Sequence, residues 1–129
     1  MDIGGNTGRF TIEVCKYNKD VNVTIVDLNK QLIAAEENIK THGFIDRVSF
    51  VEQNMLSENI NLPKDIDVIW MSQFLDCFSE STRWARAACI ATPTAIASSS
   101  IIIRLEWQGA GSVVSPLLVP TPRKAKAPL

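Results

Sequence analysis

Four short stretches of the 129-residue sequence have residue types and spacings that suit ligand binding or group transfer. The first is the opening "MDIGGNTG", in which Asp2, Gly4, Gly5 and Gly8 surround Asn6 and Thr7. Clustered glycines let a ligand approach the backbone closely, and Gly8 opens onto a helix-like pattern. A dinucleotide loop needs Gly-x-Gly-x-x-Gly. Gly5 and Gly8 satisfy its last interval, but Ile3 holds the place of its first glycine. An acid just ahead of the loop suits instead a nucleoside carrying an amino-acid arm. The ligand-free reading is a tight strand-to-helix turn. The second stretch ends at Asp27, nineteen residues after Gly8. A carboxylate there accepts both hydroxyl protons of a ribose, or caps a helix. The third is "EQNML", where Asn54 offers an amide edge and Met55 an apolar face to a base such as adenine. Its alternative is a loop Asn beside a core Met. The fourth is "FLDCFSE", in which Asp76 reads from its place as a helix cap. His42, the single histidine, lies in the "HGF" turn and reads as a helix-end surface residue rather than a base.

These residues need a scaffold that carries distant loops to one edge. "TGRFTIEVCKYNK" predicts a helix from about Thr7 to Asn18, with Phe10, Val14 and Tyr17 at helical spacing. "VNVTIVDL" is rich in β-branched residues and predicts a buried strand from Val21 to Asp27. Asn29 then caps a second helix that spaces Leu32, Ile33, Ala35, Glu36 and Ile39, and Gly43 stops it. "RVSFVEQN" and "IDVIWMSQFL" predict two more strands, separated by a loop with Pro63. Such alternation implies parallel crossovers and an α/β sheet. Ligands of these sheets sit beyond the carboxyl ends of the strands, where all four stretches fall.

Composition narrows the class. Hydrophobic residues at 46% and charged ones at 21% suit one globular domain. A net charge of −1 gives no global attraction to nucleic acid or an acidic membrane. Cys15, Cys77 and Cys89 match neither a disulfide framework nor paired zinc ligands, which fits a reducing cytoplasm. No signal-peptide pattern opens the chain, and "ACIATPTAIASSSIIIRLEW" is too broken by Pro93 and Arg104 for a membrane span. A seam lies near Glu80. Of 14 acidic residues, 13 lie up to that point, whereas six of the 13 basic ones follow it. Clusters of Ala, Ser, Thr and Pro then lead to "VPTPRKAKAPL".

"DIGGNTG", "VTIVDL", "HGFIDRVSFVEQNML" and "IDVIWMSQFLDCFSE" occur in this order over residues 1–80. Together they resemble class I S-adenosylmethionine-dependent methyltransferases, most of all the bacterial O-methyltransferases of small hydroxylated molecules. The resemblance implies an α/β, Rossmann-like three-layer sandwich on a mainly parallel sheet. It also implies S-adenosylmethionine as cofactor and a small hydroxylated acceptor, with no nucleic acid, membrane or metal involved. By that resemblance Asp2, Gly4, Gly5, Asn6 and Gly8 line the methionine and ribose end, and Asp27 holds the ribose hydroxyls. Asn54 and Met55 meet the adenine, and Leu28 and Ser72 join the cofactor contacts. Asn6 stands where many members have a third glycine, a mild departure because Asn tolerates left-handed backbone. Plant-type relatives use a His, followed by Asp and Trp, as base after the fourth strand. Asp76, Cys77 and Phe78 hold those places here, so the resemblance implies Asp76 as the catalytic base, provided burial raises its pKa.

Family members carry seven strands and an N-terminal region for dimerisation and acceptor binding. The sequence starts inside the first strand, and the family pattern is not recognisable past Glu80. The expectation is therefore an incomplete fold. Residues 1–80 form its cofactor half, and residues 81–129 an atypical tail, irregular, disordered or translated out of frame. The other reading of the tail makes "SSSIIIRLEW" an edge or fifth strand. Such a fragment would have weak catalysis or none. Two other classes compete with a methyltransferase: a non-catalytic fragment or interaction module, and an NAD-dependent oxidoreductase, which also uses a glycine loop and a later acid.

Overall fold

The computed structural model describes residues 1–64, 66–72, 74, 77–79, 82, 96–108 and 111–117. Strands β1 (Asp2–Ile3), β2 (Val23–Asp27), β3 (Val48–Glu52), β4 (Ile66–Ser72), β5 (Ile96–Gln108) and β6 (Gly111–Leu117) form one sheet. Their order is β3-β2-β1-β4-β5-β6. Every neighbouring pair is parallel except β5 and β6. Helices α1 (Arg9–Tyr17) and α2 (Asn29–Thr41) make the crossovers from β1 to β2 and from β2 to β3. The chain builds outward from β1 in one direction, then returns to place β4 on its other side. That reversal opens a crevice at the carboxyl ends of β1 and β4, the usual ligand position in such sheets.

Strand alternation divides the core in two. Val23, Ile25 and Val48 point to the face covered by both helices, where they meet Ile12 and Cys15 of α1 and Leu32, Ala35 and Ile39 of α2. Ile3, Val26, Ile69 and Met71 point to the opposite face. There they pack with Met55, Ile60 and Leu62 of the loop after β3, and with Phe74 and Phe78 after β4. Among the described residues it is loop side chains, rather than a long helix, that cover this second face.

The helix ends show local causes. Gly43 takes φ 77°, and two bonds close α2 around it: its N–H donates to Lys40 O at 3.0 Å, and that of Phe44 to Ile39 O at 3.1 Å. This is the glycine-terminated helix stop expected there. At the end of α1 the Arg47 guanidinium donates to the carbonyls of Cys15 (2.7 Å), Asn18 (3.0 Å) and Lys19 (2.9 Å). A cation thus satisfies acceptors at the negative end of the helix.

The structure adds detail to three of the expected elements. The buried side of α1 is Thr11, Ile12 and Cys15, while Tyr17 is 93% exposed. The spacing of Phe10, Val14 and Tyr17 is helical but marks the flank, because adjacent positions differ by about 100° around a helix. The cap of α2 is Leu28 rather than Asn29, whose side chain instead donates to Glu52 Oε2 at 3.0 Å. Residues 96–108 and 111–117 are strand. β5 includes "SSSIIIRLEW" and runs parallel to β4, with Trp70 opposite Ile103, and β6 pairs back onto it. Among the described residues no helix is long and apolar enough to cross a membrane.

Candidate functional site

Between the end of β1 at Ile3 and the start of α1 at Arg9 the chain must reverse in five residues. It does so through left-handed backbone at Gly4 (φ 73°), Asn6 (φ 50°) and Gly8 (φ 72°). Asn6 is the one non-glycine residue with positive φ among those described, and it occupies the left-handed conformation that Asn tolerates. The glycines are also required for space. A Cβ at Gly4 would overlap the Phe74 ring, and one at Gly5 would lie 2.8 Å from Asp2 Oδ2. At Gly8 it would press on Ile25 and Ile39 at 3.3 Å, so Gly8 serves helix packing behind the loop.

Two carboxylates hold this loop. Asp2, only 2% exposed, accepts a 2.9 Å hydrogen bond from Thr11 Oγ1. Burial pushes its carboxyl above the ordinary range, while the Thr11 hydroxyl and the Met1 ammonium partly pull it back. Asp27, at the end of β2, accepts the Asn6 N–H through Oδ2 at 2.9 Å and the Leu28 N–H through Oδ1 at 2.8 Å. A carboxylate offers about four lone-pair sites. The two backbone bonds therefore orient Asp27 and leave acceptor capacity on both oxygens.

The loop walls one side of a cavity of about 560 Å³. Its lining brings together Asp2, Gly4, Gly5, Asn6 and Asp27 from the expected set, with Thr7 beside them. It adds Arg9, Phe10, Gln31, Trp70, Phe74 and Cys77, which the sequence reading did not assign as ligand contacts. Trp70 stacks on Phe10, with ring centroids 4.1 Å apart and planes inclined by 3°. Trp70 Nε1 and Gln31 Oε1 are buried and have no hydrogen-bond partner among the described residues. The size lies within the usual small-molecule range of about 300–1,000 Å³. The polar lining and the backbone loop fit a polar ligand with both donors and acceptors.

The remaining candidates fall elsewhere. Gly8 and Leu28 are not on the cavity wall. Leu28 is an exposed helix cap whose N–H fixes Asp27. Asn54 is exposed, and its Oδ1 accepts the Leu56 N–H at 2.9 Å, closing a loop turn. Met55 is buried in the core with Ile3, Val26, Ile69 and Met71, which corresponds to its core reading. Ser72 closes β4. Asp76 lies outside the described residues. His42 is an exposed helix-end residue, and its Nδ1 lies 2.8 Å from Asn38 O. Among the described residues no cluster of His, Cys, Asp or Glu could hold a metal ion.

Comparison with known proteins gives a consistent picture. A family model described as a methyltransferase domain matches residues 1–90, past the seam expected at Glu80. The 3-hydroxy-5-methyl-1-naphthoate 3-O-methyltransferase of Streptomyces sahachiroi is 30% identical over 91 residues, covering 70% of this chain and 26% of that one. Among solved structures, the mitomycin 7-O-methyltransferase MmcR superposes with a TM-score of 0.73 at 22% identity, over 84% of this chain and 32% of that one. NcsB1, an O-methyltransferase from neocarzinostatin biosynthesis solved with S-adenosyl-L-homocysteine and 1,4-dihydroxy-2-naphthoic acid, gives 0.72 at 21%, over 81% and 30%. At these identities the structures establish the fold. The chain spans about a quarter to a third of the length of these relatives.

Proposed function

Because the chain belongs to the methyltransferase-domain family, we propose that the β1–α1 loop and Asp27 hold S-adenosylmethionine. The activity it serves in the whole protein is O-methylation of a small hydroxylated molecule. The observation that carries the reading is Asp27, fastened to the loop through Asn6 N–H at 2.9 Å while facing the same cavity. One carboxylate fixes the loop and keeps lone pairs for the vicinal hydroxyls of a ribose.

When bound, S-adenosylmethionine supplies an electrophilic methyl group on its sulfonium. The chain's part is to orient. Asp27 holds the nucleoside end, the left-handed loop brings the backbone against the arm, and the Trp70–Phe10 stack walls the cavity beside β4. Alignment of an acceptor oxygen with that methyl contributes much of the acceleration in such a transfer. Asp76 is the candidate to take the acceptor's proton, a role that requires burial to raise its pKa. The acceptor class follows the relatives, whose names and complexes carry hydroxylated naphthoates. The cofactor half is what these residues provide, and a chain of this extent is expected to bind more readily than it turns over. The cytoplasm is the compartment proposed for it.

Titration calorimetry with S-adenosylhomocysteine tests the site. Asp27→Ala should weaken binding by about tenfold or more, the worth of a charge-assisted hydrogen bond. Unchanged affinity would remove Asp27 from the site. Tighter binding of NADH than of S-adenosylhomocysteine would move the chain to the oxidoreductase class.

A further inference from the structure

Thr7 lies between two residues in left-handed backbone, Asn6 and Gly8. Gly8 caps α1, and its carbonyl takes the first helical bond, from Ile12 N–H at 2.9 Å. The Thr7 carbonyl stands one residue ahead of the helix, where it needs a partner from elsewhere. That partner comes from α2. Asn38 Nδ2 donates to Thr7 O at 2.9 Å in a half-buried setting, across 31 positions of chain. Asn38 shares one side of α2 with Ala34 and the cap His42, each four residues apart. This row faces α1 across a groove of about 620 Å³. Thr7 and Arg9 line both that groove and the cavity, whereas Asn38 lines the groove and not the cavity. The loop is thus a partition, with the cavity before it and Asn38 behind it.

The Thr7 carbonyl and the Gly8 N–H belong to one planar peptide unit. Its N–H end donates to Gly5 O at 2.8 Å, and its carbonyl end accepts from Asn38. Of these two bonds, Asn38 alone supplies one from outside the loop, so it sets where the plane stands against the sheet. Glycine populates both signs of φ about equally. Sterics at Gly8 therefore do not choose the left-handed turn into α1, and a bond on the preceding carbonyl does. We infer that Asn38 is a positioning residue for the ligand of this cavity. From behind the loop it holds the Thr7–Gly8 peptide and keeps the backbone of residues 4–7 in the form that binds. The inference rests on the S-adenosylmethionine reading and adds a residue that acts on the ligand without touching it. A loop competent for only part of the time lowers apparent affinity in proportion. The coupling is reciprocal, so bound ligand strengthens the anchor by the same factor.

Asn38→Leu keeps the size of the side chain and removes the donor. It should weaken S-adenosylhomocysteine by about fivefold to tenfold in titration calorimetry, the worth of a half-buried hydrogen bond. Asn38→Asp, ionised at neutral pH, sets a carboxylate against the Thr7 carbonyl and should weaken binding more than Asn38→Leu. Thermal unfolding without ligand checks that both variants fold. Amide exchange separates positioning from general loosening. In free Asn38→Leu the Asn6 N–H, bonded to Asp27, should exchange several-fold faster, and saturating S-adenosylhomocysteine should slow it again. The Gly43 and Phe44 amides, which close α2, should keep their rates. In the unaltered chain the Asn38 carboxamide protons should exchange more slowly once ligand is bound, a readout that needs no substitution.

Unchanged affinity in both variants would overturn the inference. So would a loss of affinity accompanied by equally faster exchange at Gly43 and Phe44, which would mark a loosened helix rather than a displaced loop. Carboxamide protons of Asn38 that exchange at the same rate with and without ligand would overturn it too. If Asp27→Ala weakens binding while the Asn38 variants do not, the cofactor reading stands and the inference fails. If the unaltered chain does not bind S-adenosylhomocysteine, both fail together.

Discussion

Two of the loops at the carboxyl edge of the sheet, one after β1 and one after β3, are built in different ways. The β1 loop is held by backbone conformation and by carboxylates beneath and beside it: Gly4 and Asn6 at positive φ, Asp2 under Gly5, Asp27 on Asn6 N–H. The β3 loop is held by polar side chains of its own, Gln53 making the most bonds beside those of Asn54 and Ser57. Gln53 Nε2 lies within bonding distance of Asn54 O (3.1 Å), Ser57 Oγ (3.1 Å) and Asn59 O (3.3 Å), and Gln53 Oε1 accepts the Asn61 N–H at 3.0 Å. The first loop has little freedom and walls the cavity. The second covers the apolar face through Met55, Ile60 and Leu62. A ligand site asks for fixed backbone, whereas a core cover asks only for apolar side chains in reach. The two constructions follow from those demands.

The sharpest way to break this contrast is Gly4→Ala. A Cβ there meets the Phe74 ring and forces a non-glycine residue to φ 73°. Strain of this kind and overpacking together cost about 2–4 kcal/mol. Urea unfolding should show that loss, and S-adenosylhomocysteine binding should disappear at concentrations that saturate the unaltered chain. A variant of normal stability and affinity would mean that Phe74 yields freely and that the loop is not rigid.

What the sequence disclosed tracks the same contrast. The β1 loop, β2, α2 and its stop at Gly43 were legible because their causes are local: positive φ needs Gly or Asn, and buried strands need β-branched residues. The Asn6 conformation follows from residue type alone. Thr11 as the partner of Asp2, and Trp70 and Gln31 as cavity residues, were not legible. They meet the loop through sheet register, which puts Trp70 opposite Asp2 across 68 positions of chain. That Met55 sits in the core rather than on the cavity wall has a related cause. "NML" fits a base-binding edge and a core plug equally, and the choice depends on where Ile3 and Met71 lie. β5 was obscured by its Ser run, whose place in the ladder comes from β4 rather than from propensity.

Gln53→Ala probes the second loop and should do less. It removes a local network in a partly exposed setting, worth about 1 kcal/mol net. The expected result is a small drop in the urea midpoint, faster amide exchange at Leu56, Ser57 and Asn61, and S-adenosylhomocysteine affinity within threefold of the unaltered chain. A loss as large as that of Gly4→Ala would erase the distinction between the loops.

The smallest effect, and the one that reads the β1 loop without touching its glycines, is the pH response of Asp2. Burial raises its pKa above the ordinary 3.8, while Thr11 and the Met1 ammonium oppose the shift. With a folded pKa above the unfolded one, the folded chain keeps a proton that the unfolded chain has already released. Stability from this group is therefore complete below the ordinary value and falls as pH rises through the folded pKa. Asp2→Asn abolishes that titration. The difference in unfolding free energy, unaltered chain minus variant, should decline as pH is raised from 3 towards neutrality and level off once Asp2 is ionised in both states. The Met1 ammonium, lowered by its own burial from 8.0, adds a term of opposite slope. Its stabilising contribution grows as pH rises through its folded pKa towards 8.0, so the measurement belongs on the acid side of that window. A flat difference would mean that Asp2 is solvated in the folded chain, and a rising one that its ionised form is the one the loop is built around.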